Sequence, residues 1–289
     1  MGRARNVRAD GLPSTACPGL VVGRTENPVN KKGLVDCRHG RCYLGPMETC
    51  RCEAIVLGVS DYREADRLVS LFSLERGKIR GVARGAKRSV RRFGGALELF
   101  ARLLLEITPS EGLARLLSAD VVSIFAGIRT DLMKIALAGC AIELIDSLAP
   151  ENMPYPRLFR LLATYLERLD TAPASPSDRR FFEVNLLNIL GYRPPLEECA
   201  DCGVALAGRT RLYVDGTGVL TCDRCGRGGR PVAPATVAFL QQALVTGRFG
   251  ALSLSPDQLA EAALVLDPRL SVHLSRPLRS LAFLREIEG

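Results

Sequence analysis

Hydrophobic positions along the chain change their period twice. From Glu53 to about Asp120 they fall in short runs with the alternation of strands. Ala54-Ile55-Val56-Leu57 opens one strand, and Arg67–Ser73 gives a second. A turn at Glu75-Arg76-Gly77 leads into Lys78–Arg84, and Leu97–Ile107 and Leu113–Val122 read as two more, separated by a turn at Pro109–Gly112. Five short strands in about 70 residues predict a small closed barrel; the OB-fold is one five-stranded solution, and strand count does not separate it from an SH3-like barrel.

After Val121 the period becomes helical. Ile128, Leu132, Ile135, Ala136 and Cys140 are expected on one face, continued by Leu144, Ile145 and Leu148 before Pro150. Leu158–Leu169 predicts a second helix. Residues 173–177 read as a linker with Ser177 as an N-cap, and the helix that follows carries Phe181, Val184, Leu187 and Leu190 and stops at Gly191. Pro234–Val245, Pro256–Leu266 and a last segment through Leu281 and Leu284 also read as helices. The expected architecture is an α+β multidomain chain: an N-terminal five-stranded OB-fold β-barrel over residues 47–122, then a mainly α-helical domain over 123–289.

The first 46 residues fit neither period. Gly and Pro recur through them, with eight basic residues against three acidic ones. This reads as a disordered or non-native leader, with Met47 as the expected start. Cys37-Arg-His39-Gly-Arg-Cys42 within it fits no standard zinc spacing. No apolar run approaches the roughly 18–20 residues of a membrane helix; the longest, Ile135–Ile142, has eight. No apolar export signal follows the basic start. A cytoplasmic chain with no membrane partner is expected.

Ten cysteines are many for such a chain, and close pairs in a reducing compartment favour metal over disulfides. Cys199-x2-Cys202 and Cys222-x2-Cys225 are separated by 19 residues. Two such turns present four thiolates to one ion, a closed tetrahedral shell that predicts one structural Zn2+ within a module spanning 196–228. Arg211–Asp215, a turn at Gly216-Thr-Gly218 and Val219–Thr221 form the hairpin that returns the second pair to the first. Gly203 and Gly226 follow the two pairs, where a tight knuckle favours positive φ.

The net charge of +8 is unevenly placed. Between Arg76 and Arg92 stand eight basic residues and no acidic one. Lys78, Arg80 and Arg84 share a strand face by parity, and Lys87, Arg88, Arg91 and Arg92 continue as a flexible basic loop. A barrel face beside a basic loop suits a phosphate backbone, with weak sequence preference and strong salt dependence. Phe72 and Phe93 are the nearby aromatics, as stacking partners or as core.

Taken together, Glu53–Leu57, Tyr62–Val69, Gly77–Arg88, Phe182–Pro194, Cys199-x2-Cys202-Gly203 and Ser275–Ser280 make the chain resemble the bacterial RecO family of DNA repair and recombination proteins. The likeness spans most of residues 50–285 and leaves out 1–46. It implies an OB-fold followed by a helical domain with an embedded zinc module. It implies a non-enzymatic mediator that binds single- and double-stranded DNA and anneals complementary strands. The implied partners are the acidic C-terminal tail of single-stranded-DNA-binding protein (SSB) and RecR, with which such proteins load RecA. The family's DNA-binding surface maps onto Lys78, Arg80, Arg84, Lys87 and Arg88.

An enzyme is disfavoured. The expected metal shell is closed, His39 and His273 lie outside any motif, and no acidic cluster suits two-metal chemistry. His273 reads as a partly packed helix residue, and Glu64 and Asp66 as ordinary charges at the start of a strand. The alternative from a different class is a zinc-containing nucleic-acid-binding factor in transcription or translation.

Overall fold

The computed structural model describes residues 35–36, 49–110, 112–226 and 228–288. The leader, with Cys37, His39 and Cys42, lies outside the described residues apart from a two-residue strand, β1 (Val35–Asp36), which runs parallel to the start of β2.

Five strands close a barrel: β2 (Cys50–Tyr62), β3 (Asp66–Ser73), β4 (Gly77–Ala83), β5 (Arg102–Thr108) and β6 (Ala114–Ser123). Their order is β2-β3-β4-β6-β5, and β5 returns to β2. One pairing is parallel, Gly81–Ala83 of β4 against Ala114–Leu116 of β6; the others are antiparallel. The 13-residue β2 serves both β5 and β3 because a bulge between Val56 and Gly58 bends it. This is a five-stranded, OB-like closed barrel.

The sequence of β2 shows what covers it. A strand with one wet face alternates, but Ala54–Leu57 is apolar throughout. Cys50, Cys52, Ala54 and Val56 fill the barrel interior with Leu71, Leu103, Leu105 and Ile107. Ile55, Leu57 and Phe72 point outward into the core of the helical part. Phe72 and Phe159 meet there with ring centroids 6.2 Å apart. Burial in this apolar interior pushes the Cys52 thiol up to about 12, so it behaves as a small hydrophobe.

Between β4 and β5 lies one helical turn, α1 (Val90–Phe93). Residues 97–101, expected as the start of a strand, instead turn under the barrel. Phe100 has φ 72°, and Phe100 N–H and Ala101 C=O bond to the backbone of Val56. After β6 a 3₁₀ turn (Ala126–Thr130) leads to α2 (Leu132–Leu148), α3 (Pro156–Thr171) and α4 (Pro176–Leu190). Then come the hairpin β7 (Leu212–Val214) and β8 (Leu220–Cys222), with β9 (Arg230–Val232) on the far edge of β7. The last elements are α5 (Pro234–Thr246), α6 (Pro256–Ser271) and α7 (Arg279–Glu288).

Caps set the helix starts. Asp131 accepts from Met133 N–H and Lys134 N–H at the start of α2, and Ser255 forms a capping box with Gln258 at α6. At α4 the cap is Ser175, two residues before the expected Ser177, because Pro176 is favoured at the first helical position. Ser177 is buried, and its hydroxyl accepts from Leu254 N–H. The one-sided periodicity expected for α2 is not observed. Its buried residues run all round the helix from Ala136 to Ile145, and Leu132 is 62% exposed. It is the central helix, packed against β2 and β3, α3, α4 and α7.

The two parts lock together at β4. A Cβ on Gly77 would lie 1.8 Å from the carbonyl oxygen of Met153, and Asn152 N–H donates to Lys78 C=O at 2.9 Å. Any side chain at Gly77 therefore displaces the α2–α3 loop. Among the described residues no helix is long and apolar enough to cross a membrane.

Candidate functional site

The first cysteine pair sits in a knuckle after α4. Cys199 N–H donates to Val204 C=O, and Gly203 N–H returns to Cys199 C=O. The second pair ends β8, where Cys225 N–H and Gly226 N–H both return to Cys222 C=O. Pairing of Leu212 with Cys222 and the bond from Ala200 N–H to Leu220 C=O bring the knuckles together. Gly203 has the expected positive φ, 66°. Gly226 has a different reason: a Cβ there would lie 2.5 Å from the Tyr213 side chain.

The four Sγ atoms of Cys199, Cys202, Cys222 and Cys225 all lie within 4.8 Å of one another. Zinc with Zn–S bonds of about 2.3 Å at the centre of a tetrahedron sets its sulfurs about 3.8 Å apart. Cys202 Sγ and Cys222 Sγ are 3.7 Å apart, and all four thiols are free. The donor set thus fits a metal ion. Local electrostatics favour the thiolate at Cys199 and Cys222. Burial opposes ionisation of Cys199, but N–H groups of Cys202, Cys222 and Asp201 bring it down to about 6. Backbone N–H groups of Cys225 and Arg224 likewise lower Cys222. Cys225, bonded to Cys202 and Cys222, is pushed up to about 12 and keeps the proton that a metal displaces. A metal ion held by four thiolates has no open coordination position for a substrate.

The basic segment is less uniform than its sequence. Lys78 shares the outer face of β4 with Arg80, as parity predicts, yet it is only 8% exposed. The helical part covers that face at Lys78, opposite Phe72, and Lys78 Nζ donates to Asp146 C=O at 2.6 Å. Lys78 is therefore removed from the exposed cations. Arg80 is exposed, 3.8 Å from Glu151. Lys87 pairs with Asp61 at 3.0 Å. Arg92 donates to Arg84 C=O at 2.8 Å and Ser89 Oγ at 3.1 Å. Arg84, Arg88 and Arg91 are exposed and form no ion pair among the described residues.

Arg84, expected on the strand face, lies just past the end of β4, and residues 87–92, expected as a flexible loop, belong to hydrogen-bonded turns running into α1. Phe72 and Phe93 are both buried, so they belong to the cores and offer no stacking surface. Asp66 is more than a charge at the start of a strand, since its Oδ1 accepts from Gly85 N–H at 2.8 Å. The only signal for this in the sequence is an acidic residue at the start of the strand that pairs with β4. His273 lies beyond the end of α6, exposed, stacked on Tyr192 with centroids 3.7 Å apart.

Comparison with known proteins agrees with this arrangement. Residues 47–125 match the family model described as recombination protein O N terminal, and residues 129–282 the one described as recombination protein O C terminal. A protein of Geobacter metallireducens named DNA repair protein RecO is 55% identical over 242 residues, covering 84% of this chain and 99% of that protein. The Geobacter sulfurreducens protein of the same name is 53% identical over 241 residues, 83% and 99% of the two chains. That of Myxococcus xanthus is 37% identical over 242 residues, again 83% and 99%. With both family models matched in order and relatives covered almost end to end, the chain belongs to the RecO family of DNA repair proteins.

Proposed function

We propose that this chain is a non-enzymatic mediator of DNA repair and homologous recombination. It binds single- and double-stranded DNA, anneals complementary strands and, with RecR, helps load RecA onto SSB-coated DNA, contacting the SSB tail. It acts in the cytoplasm. The barrel, residues 47–122, is the DNA-binding unit, and residues 123–289 form its helical support. One Zn2+, held by Cys199, Cys202, Cys222 and Cys225, ties the module at 196–228 together and takes no part in chemistry.

The observation that carries this reading is that Arg84, Arg88 and Arg91, close together in the segment after β4, are exposed without carboxylate partners among the described residues. Three such cations meet phosphates without reading bases, and each phosphate neutralised releases counterions. Coating two strands in this way lowers their mutual repulsion, which is what annealing requires, and nucleotide hydrolysis is not needed. Arg80 adds to the surface where Glu151 releases it.

The test is annealing of complementary labelled oligonucleotides at low salt without ATP. The chain is expected to accelerate it. Arg84→Ala, Arg88→Ala and Arg91→Ala together should abolish the acceleration and shrink the salt-dependence slope for single strands by about two. No acceleration by the unaltered chain, or full activity of the triple variant, overturns the proposal.

A further inference from the structure

The exposed cations of the basic loop stand on a backbone that other residues hold. From the start of β3, Asp66 Oδ1 accepts from Gly85 N–H at 2.8 Å, and from the turn before it Ala65 C=O accepts from Lys87 N–H at 3.1 Å. Inside the loop, Arg88 N–H and Ser89 N–H both return to Gly85 C=O, at 3.1 and 3.0 Å. Arg92 closes the other side through Arg84 C=O and Ser89 Oγ, and Phe93 anchors the end of the segment in the barrel core.

Asp66 has two opposed effects on an approaching phosphate. Its charge lowers the local positive potential and disfavours binding. Its hydrogen bond fixes the loop and so reduces the conformational entropy lost when the loop is ordered against a ligand. We infer that Asp66 is a positioning residue of the nucleic-acid interface. With Arg92 as a second brace, it holds residues 84–93 in one conformation from which Arg84, Arg88 and Arg91 meet a phosphate backbone together. This rests on the nucleic-acid reading of the loop.

Because the two effects differ in sign, affinity decides between them. Binding of the full chain to a labelled oligothymidylate is measured by anisotropy over a range of salt, beside tryptic cleavage after Arg84 and Arg88. For Asp66→Ala, bracing predicts a Kd raised about fivefold to tenfold, an unchanged salt slope because no cation is lost, and faster cleavage. Asp66→Asn keeps an oxygen acceptor for Gly85 N–H and is expected to bind at least as tightly as the unaltered chain. Unchanged or tighter binding by Asp66→Ala, or an Asn variant as weak as the Ala variant, overturns the inference. Should Asp66→Ala fail to fold, Arg92→Lys keeps the charge and loses the fork. It should raise Kd about threefold at constant slope, and unchanged affinity with unchanged cleavage overturns the inference. If the unaltered chain binds no DNA at low salt, the nucleic-acid reading itself falls; cleavage of Asp66→Ala separates that failure from one of bracing.

Discussion

Lys78 and Arg80 stand two residues apart on one face of β4 and have different fates. Arg80 faces solvent, whereas the Lys78 ammonium bonds to Asp146 C=O, a carbonyl in the last turn of α2 that has no partner within its own helix. A cation there also complements the negative end of the helix dipole. Lys78→Met is thus expected to lower unfolding free energy by about 1–3 kcal/mol while leaving DNA affinity within about twofold. Denaturant unfolding and anisotropy titrations on the same preparation check this; a large loss of affinity at full stability would return Lys78 to the interface. Parity placed Lys78 on the correct face. What parity does not carry is that α2 and its following loop lie over that face, because this depends on a partner about 70 residues away.

Among the elements, α7 is held by a cap from another helix. Arg279 N–H, Ser280 N–H and Ser280 Oγ–H all donate to the carboxylate of Glu143 in α2. Burial works against ionisation of Glu143, but these donors outweigh it and keep its carboxyl below the ordinary value of 4.5. A lowered carboxylate contributes stability that is full above its unfolded value and drains as pH falls through the folded one. Glu143→Gln should therefore be less stable than the unaltered chain at neutral pH, by about 1 kcal/mol. The gap should close below pH 4.5. Thermal melts across that range decide, and a gap independent of pH refutes it.

Elements with local signals were legible in the sequence. The alternating β5, the Gly191 stop and the two Cys-x2-Cys knuckles each depend on neighbours in the chain. The misread elements depend on distant contacts. Residues 97–101 are apolar like a strand, but they bond to Val56 and turn. The one-sided stripe expected of α2 is not what the fold uses, because between Ala136 and Ile145 neighbours bury several sides of the helix. Of the site, the four cysteines were readable from spacing, while the bracing by Asp66 and the burial of Lys78 were not.

At the scale of the molecule, one apolar core runs from Phe72 of the barrel through α2 and α4 to Leu212, Leu220 and Cys222 of the cysteine module. Removing the metal proposed at the four cysteines is therefore expected to be felt beyond the module. Chelation should lower the melting temperature by more than about 3 °C, the shift that ~2 kcal/mol makes in a chain of this size. Hydrogen exchange should rise over residues 196–232 first and in α5 and α6 next. Metal analysis that finds no zinc in the purified protein, with a melting point unmoved by Cys199→Ser, would remove the ion from the account.

The close approach of Gly77 to Met153 bears on how such chains can diverge. A strand from the barrel and a loop between two helices must be shaped as a matched pair, so neither is free to drift alone. Exchanging barrels between relatives at the junction near residue 125 keeps the covalent chain intact but separates the two sides of this contact. A chimera joined there is expected to be less stable than the unaltered chain unless its barrel brings a strand that fits the Met153 loop.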